Sequence, residues 1–131
     1  MKNNFKNVVV IAPHPDDETL GLGGTIKRFV KSKVKVSILI VSGHLPPLYK
    51  KNDFNKTLSE SKKVFDYFGV TDYQFLKIPA TKVNELPSSA LLPLNKTPSI
   101  IVSSFCVAGA CAEDVVQLLS IIDCVKNKPI F

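Results

Sequence analysis

The sequence has no tryptophan, one methionine and a single arginine, Arg28, against sixteen lysines. Scarce arginine argues against a nucleic-acid reader, which favours the guanidinium fork for phosphates and base edges. The lysines scatter over expected helix faces (Lys27, Lys31, Lys62, Lys63) instead of alternating with aromatics. The net charge of +6 therefore reads as a solvated surface with a general attraction for anions. No apolar run reaches the roughly 18 residues of a membrane span. The first residues lead into a charged loop without a small-residue cleavage site, so a cytoplasmic location is expected. Cysteine is limited to Cys106, Cys111 and Cys124, with no CxxC pair. An odd set without a leader reads as free thiols, not a disulfide framework.

What is present suffices for one domain. The chain has 131 residues, 45% of them hydrophobic and 21% charged, enough to bury a core. Lys6–Ala12 carries the β-branched run Val8-Val9-Val10-Ile11, the pattern of a strand buried on both faces of a parallel sheet. A helix is expected from about Glu18 to Ser32, with Leu22, Ile26, Phe29 and Val30 on one face. Val34–Val41 reads as a second strand, and Ser42–Asn52 as a loop with Pro46 and Pro47. Asn55–Phe68 reads as an amphipathic helix ending at Gly69, a residue suited to a left-handed cap. Tyr73–Ile78 reads as a third strand. This β-α-β-α-β order implies parallel strands with right-handed crossovers, hence a three-layer α/β sandwich resembling a Rossmann sheet. Past Glu85 the character changes: residues 1–83 hold 14 basic and 7 acidic side chains, residues 84–131 only 3 and 4. A fourth strand at Ser99–Val102 and a helix at Ala112–Val125 are expected there.

In open α/β sheets, ligands bind beyond the carboxyl ends of the strands. The first such end is Ala12–Glu18, with one imidazole and three carboxylates within five residues. Pro13 and Pro15 stiffen the turn. A His-x-x-Asp spacing lets His14 and Asp17 fold back onto one ion, and imidazole and carboxylate are suitable zinc ligands. Adjacent aspartates in an extended turn tend to point apart, so one binds metal while the other faces substrate. The competing reading makes Asp16, Asp17 and Glu18 ordinary acids at a helix start, but a cap needs neither the imidazole nor the stiff turn. Gly21, Gly23 and Gly24 fail the GxGxxG dinucleotide pattern, because Ile26 occupies its last position. They read as aids to close helix–sheet packing. His44, after the second strand, reads as a substrate contact, a replacement metal ligand or an ordinary loop residue. Phosphate or nucleotide binding is disfavoured, because three carboxylates would repel it without an intervening ion.

The run Ala12-Pro13-His14-Pro15-Asp16-Asp17-Glu18, followed by Leu20-Gly21-Leu22-Gly23-Gly24-Thr25-Ile26, resembles the signature of the PIG-L/LmbE-like zinc-dependent N-acetylglucosamine deacetylases. The likeness continues through Val36–Val41, the helix carrying Glu60, Gly69-Val70 and Tyr73–Pro79, over about residues 1–85, with residues 86–131 a divergent tail of the same single domain. The resemblance implies His14 and Asp17 as Zn2+ ligands and Asp16 as the catalytic base acting on metal-bound water. It also implies an N-acetylated amino sugar conjugate as substrate. The family takes its third ligand from a later histidine, and none follows His44 here. Asp114 and Cys111 are the candidate substitutes. The family is also usually longer, so the fold would be truncated relative to it. Three alternatives follow: a truncated or frame-shifted copy, a site completed by a second chain in a homo-oligomer, or a degenerate sugar-binding module without catalysis.

Overall fold

The computed structural model describes residues 6–79, 82 and 100–102. The elements are β1 (Asn7–Ala12), α1 (Asp17–Lys31), β2 (Lys35–Gly43), α2 (Lys51–Phe68), β3 (Asp72–Pro79) and β4 (Ile100–Val102). The four strands form one sheet in the order β3-β2-β1-β4, and every pairing is parallel. Strands 3-2-1 are adjacent in space because each crossover carries a helix and steps one place outward, as right-handed βαβ units do.

The register explains the double-sided apolar pattern of β1 and β2. Val8 faces Val36, Val10 faces Ile38 and Ala12 faces Ile40. These six side chains belong to the core that α1 and α2 cover with Ile26, Phe29, Phe65 and Phe68. The alternate residues Val9, Ile11, Leu39 and Val41 point to the opposite face and are buried too. A strand covered on both sides needs a continuous apolar run rather than alternation, as Val8–Ile11 has. The result is the α/β, Rossmann-like architecture expected, with both described helices on one face.

Several boundaries move, each for a local reason. β2 runs on to Gly43, because Ser42 and Gly43 find partners in Ile78 and Pro79 after a β-bulge. The extra residue lies on β3, where Lys77 takes φ 57, a left-handed geometry common at bulges. Helix α2 begins at Lys51, four residues before the expected Asn55. The Asp53 carboxylate accepts the Lys50 N–H at 3.1 Å, which secures an earlier first turn. Gly69 closes α2 at φ 82, with its N–H on the Phe65 and Asp66 carbonyls, as its position suggests. The glycines of α1 correct the sequence reading. Only Gly23 serves a close approach, and its neighbour is the Phe68 ring of α2, 3.2 Å from where a Cβ would stand, not the sheet. Gly24 faces open space, and Gly21 is exposed. The expected helix at Ala112–Val125, Asp114 and the three cysteines lie outside the described residues.

Phe65 is the central core side chain, fully buried, with ring contacts to Tyr73 at 5.1 Å and Phe75 at 6.1 Å. Phe65→Ala is expected to lower the unfolding free energy by about 3–5 kcal/mol, read from urea denaturation. A loss below about 1 kcal/mol would show that α2 does not anchor this core.

Candidate active site

The motif loop leaves β1 at Ala12 and is tied at once to the neighbouring strand. The Pro13 carbonyl accepts two hydrogen bonds from Ser42, one from its N–H and one from its hydroxyl, both at 2.8 Å. Pro13 has no N–H to offer, so its carbonyl fixes the loop. Ser42 is 2% exposed, and a hydroxyl at that depth requires such a partner.

The next three carboxylates make three different sets of contacts. Asp17 turns back: its Oδ2 accepts the His14 N–H at 3.1 Å and lies 3.4 Å from His14 Nδ1. Asp16 takes φ 88, a left-handed conformation that costs a non-glycine residue about 1–2 kcal/mol. Although it occupies the helix N-cap position, its side chain makes no capping bond. The capping explanation therefore fails for Asp16. Glu18 is 1% exposed. Its Oε2 accepts the Asp16 N–H at 3.1 Å, and its Oε1 accepts the Thr19 hydroxyl at 2.8 Å.

Asp16 opens onto a cleft of about 230 Å³ between the loop and α2, lined by Pro15, Thr19, His44, Thr57, Glu60 and Ser61 among others. His44 stands at the end of β2, its Nδ1 3.1 Å from the Thr57 hydroxyl and its ring edge-on to Tyr49 at 4.5 Å. Thr57 is itself oriented by donating to the Asp53 carbonyl at 2.9 Å. Partial burial, then the Asp17 carboxylate, raises the Asp16 pKa, while the imidazoles of His44 and His14 oppose the rise. Asp17, His44 and His14 thus all act on the Asp16 carboxylate. Burial also raises the Glu18 pKa, against the hydrogen bonds it accepts.

The structure therefore brings His14 and Asp17 together, and separately brings Asp16 and His44 onto one cleft. Sequence reasoning missed Ser42, Thr57 and Ser61, whose hydroxyls carry no signal without the fold. It reached Glu60 only through the family likeness. The donor chemistry of the His14–Asp17 pair fits zinc. Two ligands at about 2.0–2.1 Å with a tetrahedral angle between them lie about 3.3–3.4 Å apart, and the observed 3.4 Å matches. Among the described residues no group of three or more such side chains could hold a metal ion. Asp114 and Cys111 lie outside those residues.

The parallel α/β sheet thus carries a histidine–aspartate pair and a separate aspartate beyond the end of β1. The chain belongs to the PIG-L family, the GlcNAc-PI de-N-acetylases, whose model matches residues 9–120. It is similar to the diacetylchitobiose deacetylase of Thermococcus kodakarensis, at 33% identity over 93 residues, which are 62% of this chain and 32% of that protein. The chain thus spans about a third of the length of that relative. Two solved structures share the fold. The N,N'-diacetylchitobiose deacetylase of Pyrococcus horikoshii, solved with an inhibitor, superposes with TM-score 0.59 at 24% identity, over 71% of this chain and 36% of that one. The conserved protein TT1542 of Thermus thermophilus gives 0.69 at 20% identity, over 90% and 54%. Among the described residues, no helix is long and apolar enough to cross a membrane.

Gly43 sets the approach of β2 to α2 beside His44. A Cβ there would stand 2.8 Å from Phe54 Cε2, closer than carbon atoms tolerate. Gly43→Ala should cost about 1–3 kcal/mol by overpacking, and adding Phe54→Leu should recover part of it. Equal denaturation midpoints for Gly43→Ala and the unaltered chain would show that this contact does not constrain the site.

Proposed function

We propose that the chain is a zinc-dependent hydrolase that removes the N-acetyl group from an N-acetylated amino sugar, releasing acetate and the free amine. The observation that carries this reading is the division of labour in the motif loop. His14 and Asp17 lie 3.4 Å apart, while Asp16, at φ 88, is turned onto the cleft. Membership of the PIG-L family and the likeness to a diacetylchitobiose deacetylase support the substrate class.

His14 and Asp17 would hold the ion. Zinc bound there would polarise the amide carbonyl and ease deprotonation of water at neutral pH. A carboxylate oxygen of Asp16 accepts the proton of the water that attacks the acetyl carbon. As the carbon–nitrogen bond breaks, the same oxygen returns that proton to the leaving nitrogen, so the amine departs uncharged. His44, held by Thr57 and Tyr49, faces the cleft and offers its imidazole to a sugar hydroxyl.

Two measurements test the proposal. Purified chain supplied with zinc should release acetate from N,N'-diacetylchitobiose or N-acetylglucosamine, and a chelator should abolish the release. Asp16→Asn should reduce kcat by about 10²–10⁴-fold while zinc stoichiometry stays unchanged. His14→Ala and Asp17→Ala should each lose the zinc itself. Sugar binding that ignores both chelator and Asp16→Asn, without acetate release, would instead identify a non-catalytic sugar-binding module.

A further inference from the structure

The backbone of Asp16 is held at both its carbonyl and its N–H. Its carbonyl accepts the N–H groups of Thr19 and Leu20, each at 2.9 Å, which is the ordinary start of α1. Its own N–H points the other way and is taken by Glu18 Oε2 at 3.1 Å. Glu18 is 1% exposed, unlike an acid placed in a first turn only to favour the helix dipole. Its second oxygen is occupied by the Thr19 hydroxyl at 2.8 Å, so the carboxylate is held at both ends. Asp16 meanwhile keeps φ 88 with no capping bond from its own side chain. A strained residue persists only when its surroundings over-determine it, and Glu18 makes that contact from a buried position in the cleft wall.

We propose that Glu18 is a positioning residue: by gripping the Asp16 backbone N–H, it fixes the left-handed turn that directs the Asp16 carboxylate into the cleft, with Thr19 holding Glu18 in place. The role rests on the deacetylase reading above. It requires of Glu18 an acceptor oxygen at one point in space, not a negative charge and not contact with substrate. Glu18→Gln, which retains such an oxygen, should therefore stand in for it, whereas Glu18→Ala should not.

The test uses the full chain in three forms, unaltered, Glu18→Gln and Glu18→Ala. It reads acetate release from N,N'-diacetylchitobiose, zinc stoichiometry and hydrogen exchange of the Asp16 amide by NMR. Glu18→Ala should lower kcat by about 10–100-fold, the range for supporting contacts of this kind. KM should stay within about twofold and zinc content unchanged, and Asp16 amide exchange should speed by at least about tenfold. Glu18→Gln should recover most of kcat and of the amide protection. The proposal is overturned if Glu18→Gln is as impaired as Glu18→Ala, if the loss lies in KM or follows zinc content, or if Asp16 exchange is the same in all three. Should the unaltered chain release no acetate, the deacetylase reading fails and the amide result alone decides whether Glu18 holds the turn. Should Glu18→Ala not fold, Thr19→Val replaces it. A smaller fall in kcat with faster Asp16 exchange is then expected, and no change in either overturns the proposal.

Discussion

The site depends on one turn in which the chain leaves a buried strand and enters a helix through a left-handed aspartate. At φ 88 Asp16 lines the cleft, while Asp17 turns back onto the His14 N–H. An ordinary helical or extended geometry at residue 16 would change where its Cβ points relative to the cleft. The turn is held from three sides. Ser42 grips the Pro13 carbonyl, α1 accepts the Asp16 carbonyl into its first turn, and Glu18 takes the Asp16 N–H. Each anchor sits on an element fixed by the core, so the local strain is sustained by packing elsewhere.

The chain carries a surplus of lysine, yet the described lining of the cleft holds three acids, Asp16, Glu18 and Glu60, with His44 and several hydroxyls. The charged surface and the site therefore follow different rules. Exposed lysines keep the molecule solvated. The cleft instead presents acceptors and hydroxyls, the groups that pair with the many O–H donors of a sugar. Helix α2 supplies one wall through Thr57, Glu60 and Ser61, and the same helix closes the core through Phe65 and Phe68. Thr57 and Ser61 lie one to three turns before Phe65 and Phe68 on the same side of α2, so one helix face lines the cleft and closes the core.

Much of this was legible in the sequence because it was local. The Val8–Ile11 run announced a strand covered on both sides, Gly69 announced a left-handed cap, and the His14–Asp17 spacing announced a converging pair. What escaped was non-local. Nothing in the order of residues shows that Ser42 would meet Pro13, that Thr57 would orient His44, or that β3 would bulge at Lys77 and carry β2 out to Gly43. The glycines of α1 were assigned to the wrong neighbour for the same reason, since the position of Phe68 depends on how two helices cross. The two aspartates were expected to point apart, but the left-handed φ 88 at Asp16 is a local geometry that composition does not encode.

The most direct test of this account is a crystal structure of the zinc-soaked chain with diffraction recorded at the zinc absorption edge. The account predicts an anomalous peak about 2.0–2.2 Å from a ring nitrogen of His14 and a carboxylate oxygen of Asp17, with the Asp16 carboxylate outside the coordination shell and facing the cleft. A peak held by Asp16 in place of Asp17, or no peak between His14 and Asp17, would contradict it.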